Sequence, residues 1–109
     1  MLSGVTVEVG EASETFRLTT RAMMAVEDQL GRGLIDAVQS LQSDFRVGTV
    51  VRLIAECAND GAGVDLRRAQ EMVDTLGLGP AGDLMTKVVE KAFPEASTGK
   101  NRNGAGRSK

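Results

Sequence analysis

The stretch VTVEVGEASETFRLTTRAMMAVEDQLG, residues 5–31, decides the fold because its hydrophobic period changes partway along it. Valines alternate with polar residues from Val5 to Val9, and apolar side chains return at Phe16 and Leu18. A period of two is typical of a strand with one apolar face, so the two segments predict a β-hairpin. A helix-like segment that stops at Gly31 follows at once. The sequence therefore predicts a hairpin that leads directly into a helix.

The turn of this hairpin is predicted at residues 10–13, and the return strand at residues 15–18. Gly10 and Ser13 belong to the residue types that are common in turns. A lone hairpin is only marginally stable in water. We therefore expect its apolar face to pack against helices or against a partner.

Helical spacing of apolar residues continues after the hairpin and predicts four to five short helices. Residue types that favour helix starts stand at the beginning of four of them. Thr19 or Thr20 can cap the first, Ser43 or Asp44 the third and Asp65 the fourth, and Pro80 fits the first turn of the fifth. Each predicted helix has an apolar inner face. These faces are Met23, Val26 and Leu30 on the first helix; Leu34, Ile35, Val38 and Leu41 on the second; Val47, Val50, Val51, Ile54, Cys57 and Ala58 on the third; Leu66, Ala69, Val73 and Leu76 on the fourth; and Leu84, Met85, Val88, Val89 and Ala92 on the fifth. The expected fold class is α+β, mainly α.

Charge divides the chain into two parts. A chain of 109 residues is expected to form one domain, which we place at residues 1–96. All 15 acidic residues and 9 of the 13 lysines and arginines fall there, so this part carries a formal charge of -6. Residues 97–109 hold the remaining basic residues and no acid, and their polar composition predicts a disordered tail.

The composition argues against catalysis. The chain has no histidine and a single cysteine, so it lacks the residues for the common zinc sites and for Ser-His or Cys-His nucleophile systems. We expect no enzyme activity, no cofactor and no metal site. Cys57 falls on an apolar helix face and is interpreted as core, and a lone cysteine is typical of a cytoplasmic protein. No apolar run is long enough to predict a membrane span.

Two positions on the first helix stand out. Met24 lies off the apolar stripe, so two interpretations stay open for it: a core position or an adaptable binding surface. Glu27 and Asp28 are adjacent and point about 100° apart, so they cannot flank one substrate bond. A solvated face is the simpler interpretation of this pair, with Glu27 bonded to a neighbour such as Arg17 or Arg21.

Five segments carry a resemblance to a known family: FRLT at 16–19, AMMAVEDQL at 22–30, GRGL at 31–34, VVRLIAECANDG at 50–61 and EMVDTLG at 71–77. Their order, with a hairpin first and a last helix ending in Ala-Phe, resembles the small phage tail protein family found in gene transfer agents. Members are called tail tube protein or tail assembly chaperone. The resemblance covers residues 4–94 and leaves out the basic tail.

The resemblance implies a non-enzymatic helper in the cytoplasm of a host bacterium. Such a chaperone binds the tape measure protein during tail assembly, keeps it soluble and brings tail tube protein to it. The residues that we predict to contact a partner, or a second copy in a homo-oligomer, are Val5, Val7, Phe16 and Leu18 on the hairpin with Met24 and Glu27 on the first helix.

Two alternatives stay open at this point. The first is a structural tail subunit that is retained in the particle. The second is a small helical regulator whose basic tail binds nucleic acid. The acidic body and the scarcity of aromatic residues, three Phe and no Trp or Tyr, count against nucleic-acid binding.

Overall fold

The computed structural model describes residues 4–93, and the elements follow in the predicted order. Strands β1 (Val5–Val9) and β2 (Ala12–Phe16) pair as an antiparallel hairpin. The helices are α1 (Thr20–Leu30), α2 (Leu34–Ser43), α3 (Val47–Cys57), α4 (Leu66–Leu76) and α5 (Leu78–Ala92). This confirms the α+β, mainly α class, with an N-terminal hairpin followed by five helices. The predicted tail at residues 97–109 and the domain boundary at 96 lie outside the described residues.

The hairpin turn is shorter than predicted. Val9 pairs with Ala12, so the turn consists of Gly10 and Glu11 and not of residues 10–13. Gly10 has a φ of 66°, which suits the first central position of a two-residue hairpin turn. The prediction of Ser13 as a turn residue is wrong, because Ser13 lies in the strand and its hydroxyl donates to the Glu8 carboxylate across the ladder at 2.9 Å. The return strand therefore begins at Ala12 and ends at Phe16.

Three of the predicted helix boundaries are confirmed by their caps. The Thr19 hydroxyl accepts a hydrogen bond from the N–H of Ala22 at the start of α1. Gly31 ends the same helix with a φ of 67° in the left-handed region. The Asp65 carboxylate accepts from the N–H of Arg68 at 2.8 Å and caps α4.

The cap predicted for α3 is wrong. Neither Ser43 nor Asp44 occupies that position, because Ser43 still belongs to α2 and Asp44 follows it directly. Arg46 is the residue before α3, and its side chain makes no capping hydrogen bond. The Asp44 carboxylate instead accepts a hydrogen bond from the Arg46 guanidinium at 2.9 Å.

The core is centred on α3, which buries seven of its residues against α1, α4 and α5. The predicted inner face of α5 is confirmed, since all five of its positions are buried. The prediction that Val47 and Leu66 lie on inner faces is wrong, because each is the first residue of its helix and is exposed. Met72 takes an inner place on α4. Among residues 4–93, no helix is both long enough and apolar enough to cross a membrane.

The loop that follows α3 holds the hairpin against the helices. Asn59 and Asp60 have φ values of 56° and 57°, which is uncommon for residues with a side chain. The N–H of Asn59 donates to the Glu14 carboxylate of β2 at 2.6 Å. The Arg17 guanidinium binds Asp60 at 2.7 Å. These contacts, together with the burial of Phe16, fix the hairpin on the helices.

Candidate protein-binding surface

The hairpin residues that we predicted to bind a partner divide between core and surface. Phe16 and Leu18 are each 0% exposed and pack inside the core. Burial leaves these two side chains no surface for a partner, so they are reassigned to a structural role. Val5 and Val7 are half-buried and pack against the same core while keeping some exposed surface.

Glu27 holds the start of α2. Its carboxylate accepts a hydrogen bond of 2.9 Å from the N–H of Leu34, the first residue of that helix. The N-cap residue is Gly33, which has no side chain to accept from the free N–H groups of the first turn, so Glu27 supplies the missing acceptor. Arg21, one of the neighbours that we expected for Glu27, binds Glu56 at 3.0 Å.

Met24 is exposed on the outer side of α1. This helix turns Ala22 and Val26 toward the core, and Met24 lies two residues from each. Two helical residues span about 200°, so Met24 points away from that core face. Its side chain is 66% exposed, which removes the core interpretation and leaves an apolar, flexible group available for contact.

A further apolar surface lies between α2 and α3. Phe45 is 44% exposed and Val47 is 51% exposed. The Phe45 ring rests on α5 at the buried Gly82, where an added Cβ would come within 3.1 Å of the ring. We call Phe45 and Val47 the α2–α3 corner. A side chain at position 82 would press on the ring, so this glycine leaves room for it.

The α2–α3 corner was not predicted from the sequence. Val47 matched the apolar period of α3, and Phe45 fell in a connection where no period applies. The available signal was a large aromatic residue between the charged Asp44 and Arg46. These two form an exposed ion pair beside the corner. An apolar centre with a charged rim is typical of protein interfaces.

Strand β1 has an open hydrogen-bonding edge. Val9 and Ala12 flank the two-residue turn and are the hydrogen-bonded pair that such a turn joins. Pairing alternates along the ladder, so the backbone N–H and C=O groups of Thr6 and Glu8 point away from β2. Within residues 4–93, no backbone–backbone hydrogen bond outside the hairpin involves Thr6 or Glu8.

Cys57, the single cysteine of the chain, is buried on α3. Burial raises the pKa of its thiol to about 12, and the nearby Glu56 carboxylate adds to this rise while Arg21 opposes it. The thiol is therefore protonated at neutral pH and a poor nucleophile. In the part of the chain that the structure describes, no three His, Cys, Asp or Glu side chains gather where they would hold a metal ion.

Comparison with known families gives these surfaces a context. Residues 3–93 match the family described as phage tail tube protein, GTA-gp10, and this range takes in the hairpin and all the helices described above. No curated protein and no solved structure matches the chain significantly. The match confirms the resemblance that the ordered segments indicated. This chain belongs to the phage tail tube protein, GTA-gp10, family.

Proposed function

We propose that the protein is a tail assembly chaperone that binds the tape measure protein in the host cytoplasm while a phage-type tail is built. The observation that carries this proposal is a small, mainly helical fold within a tail protein family. Residues 4–93 contain a single two-stranded sheet. A subunit that forms a tube normally needs more strand than one hairpin supplies. The proposed role is binding without catalysis.

Two exposed apolar surfaces support the binding role. Met24 on α1 and the α2–α3 corner are large apolar groups open to solvent on a body of net negative charge. An amphipathic helix of a partner can lay its apolar face on such groups, and a methionine adapts to irregular contacts. Mutual repulsion of acidic bodies would keep several bound copies from aggregating.

The proposal is tested with single charged substitutions in a pull-down with the tape measure protein of the same gene cluster. We expect Met24→Asp or Phe45→Asp to weaken binding about tenfold, because each places a charge in the centre of a contact. Leu66→Asp is the matched control, since Leu66 is 40% exposed but lies on α4. Tape measure binding that is unchanged in both variants, with wild-type circular dichroism, would refute the assignment of these surfaces.

The second candidate is a structural subunit that stays in the tail. It is favoured by the description of the family as a tail tube protein. Mass spectrometry of purified particles separates the two roles, because a chaperone should be absent from them and a tube subunit abundant. The third possibility, a regulator that binds nucleic acid, draws no support from the family.

A further inference from the structure

The open edge of β1 lacks the usual protection of an edge strand. Exposed edges are commonly blocked by Pro, Lys or a bulge. Strand β1 has none of these, and Glu8 is its one charged residue. On the other side of the hairpin, the N–H of Arg17 just beyond β2 donates to the carbonyl of Cys57 at 3.0 Å. The hairpin is therefore bonded to the rest of the molecule on the β2 side. Within residues 4–93, α4 packs against β1, but the outward backbone groups of Thr6 and Glu8 make no backbone hydrogen bond outside the hairpin.

The apolar face beside this edge is incompletely covered. Val9 is buried, whereas Val5 and Val7 on the same face of the strand are half-buried. A neighbouring strand that paired with β1 would bring its own side chains alongside Val5 and Val7. An occupant of this edge must therefore be an extended segment with apolar residues at alternate positions.

We propose that the occupant is the β1 strand of a second copy of this chain, which gives a four-stranded antiparallel sheet across a two-fold axis. The outward-facing Thr6 and Glu8 form hydrogen-bonded pairs with Glu8 and Thr6 of the second copy. Val7 then lies opposite Val7, and Val5 lies opposite Val9. Every valine of β1 meets a valine, and each Glu8 meets a threonine.

Other two-fold registers of this edge are poorer. If Glu8 lay opposite Glu8, two like charges would be directly paired, which is destabilising. If Thr6 lay opposite Thr6, Val9 would have no strand residue of the second copy across from it. The match of β1 to itself in one register is the reason to choose a second copy over a foreign strand. This inference does not rest on the proposed chaperone role.

The first test is the oligomeric state of the full chain by sedimentation equilibrium. We expect a reversible dimer for the wild type. Thr6→Pro removes an outward N–H without removing a bond to β2, so it should weaken the dimer at least about tenfold. Thr6→Val is the matched control, because it also loses the hydroxyl contact to Thr15 but keeps the N–H. A wild type that stays monomeric, or a folded Thr6→Pro that dimerises normally, would overturn the proposal.

A second pair of variants tests the register and does not depend on how the strand tolerates proline. In the proposed register Thr6→Lys faces Glu8 of the second copy and should tighten the dimer about fivefold, while Thr6→Glu should weaken it about fivefold. If both substitutions weaken the dimer equally, Thr6 faces Thr6 and the proposed register is wrong. If neither changes it, the dimer uses another surface.

Discussion

At the scale of single residues, Gly61 occupies a position that other residues do not fit. Its φ is 88°, in the region that favours glycine. A Cβ there would overlap the methyl group of Thr19 and lie 3.0 Å from the carbonyl oxygen of Arg17. The Gly61 carbonyl also accepts hydrogen bonds from Thr19 and from both Nε and one Nη of Arg21. The loop after α3 and the start of α1 therefore meet at this glycine.

Gly61→Ala should lower the free energy of unfolding by about 3 kcal/mol, from backbone strain and overpacking together. Urea denaturation followed by circular dichroism measures it. Gly48→Ala is the control, because nothing lies within 4 Å of a Cβ at that helical position. The control should gain about 0.5–1 kcal/mol, as alanine is the better helix former. Equal effects of the two changes would contradict the account of the loop.

Cys57 gives the protein a defined pH dependence. Its thiol has a pKa of about 12 in the folded state against the ordinary value of 9.0. Above pH 9 the unfolded chain loses a proton that the folded protein retains, so stability falls as the pH rises. Below pH 9 the thiol is protonated in both states and has no such effect.

The contribution of Cys57 is isolated by comparison with Cys57→Ala. Between pH 9 and 12 the wild type should lose about 1.4 kcal/mol of unfolding free energy per pH unit relative to this variant. Urea unfolding at a series of pH values gives the difference. A constant gap between the two proteins above pH 9 would mean that the thiol is not desolvated.

At the scale of elements, the helix boundaries that follow from local chemistry were predictable. The capping hydrogen bonds of Thr19, Gly31 and Asp65 join residues no more than four positions apart. The local sequence is therefore enough to predict these helix ends. The exposure of Val47 and Leu66 was not predictable in this way. Apolar spacing marks one face of a helix, but whether another element covers its first turn depends on tertiary packing.

The start of α2 depends on a residue that is distant in sequence. Glu27→Ala should remove the acceptor for the N–H of Leu34 and cost about 1 kcal/mol of stability, as losing an N-cap does. Asp28→Ala, at an exposed neighbouring position, is the control and should change stability by less than about 0.5 kcal/mol. Thermal unfolding of both variants checks this. A larger loss in the control would show that charge on α1, and not the cap, is what matters.

At the scale of the whole molecule, the sequence indicated which residues are apolar but not which of them stay exposed. Phe16 and Leu18 were predicted for binding because a lone hairpin must be covered by something. The helices of the same chain cover them. Met24 was open to both interpretations and lies on the surface, and Phe45 was overlooked. Alternation and helical period show which face of a strand or helix is apolar. Which other element covers that face depends on how the chain folds.

The proposed chaperone role belongs to the whole protein as a binding partner. The most direct measurement is the solubility of the tape measure protein from the same gene cluster, expressed alone and together with this chain, with light scattering of the soluble fraction. We expect a tape measure protein that aggregates alone and forms a soluble complex when co-expressed. A tape measure protein that stays insoluble without forming a complex, with this chain abundant in purified particles, would contradict it and favour the structural subunit.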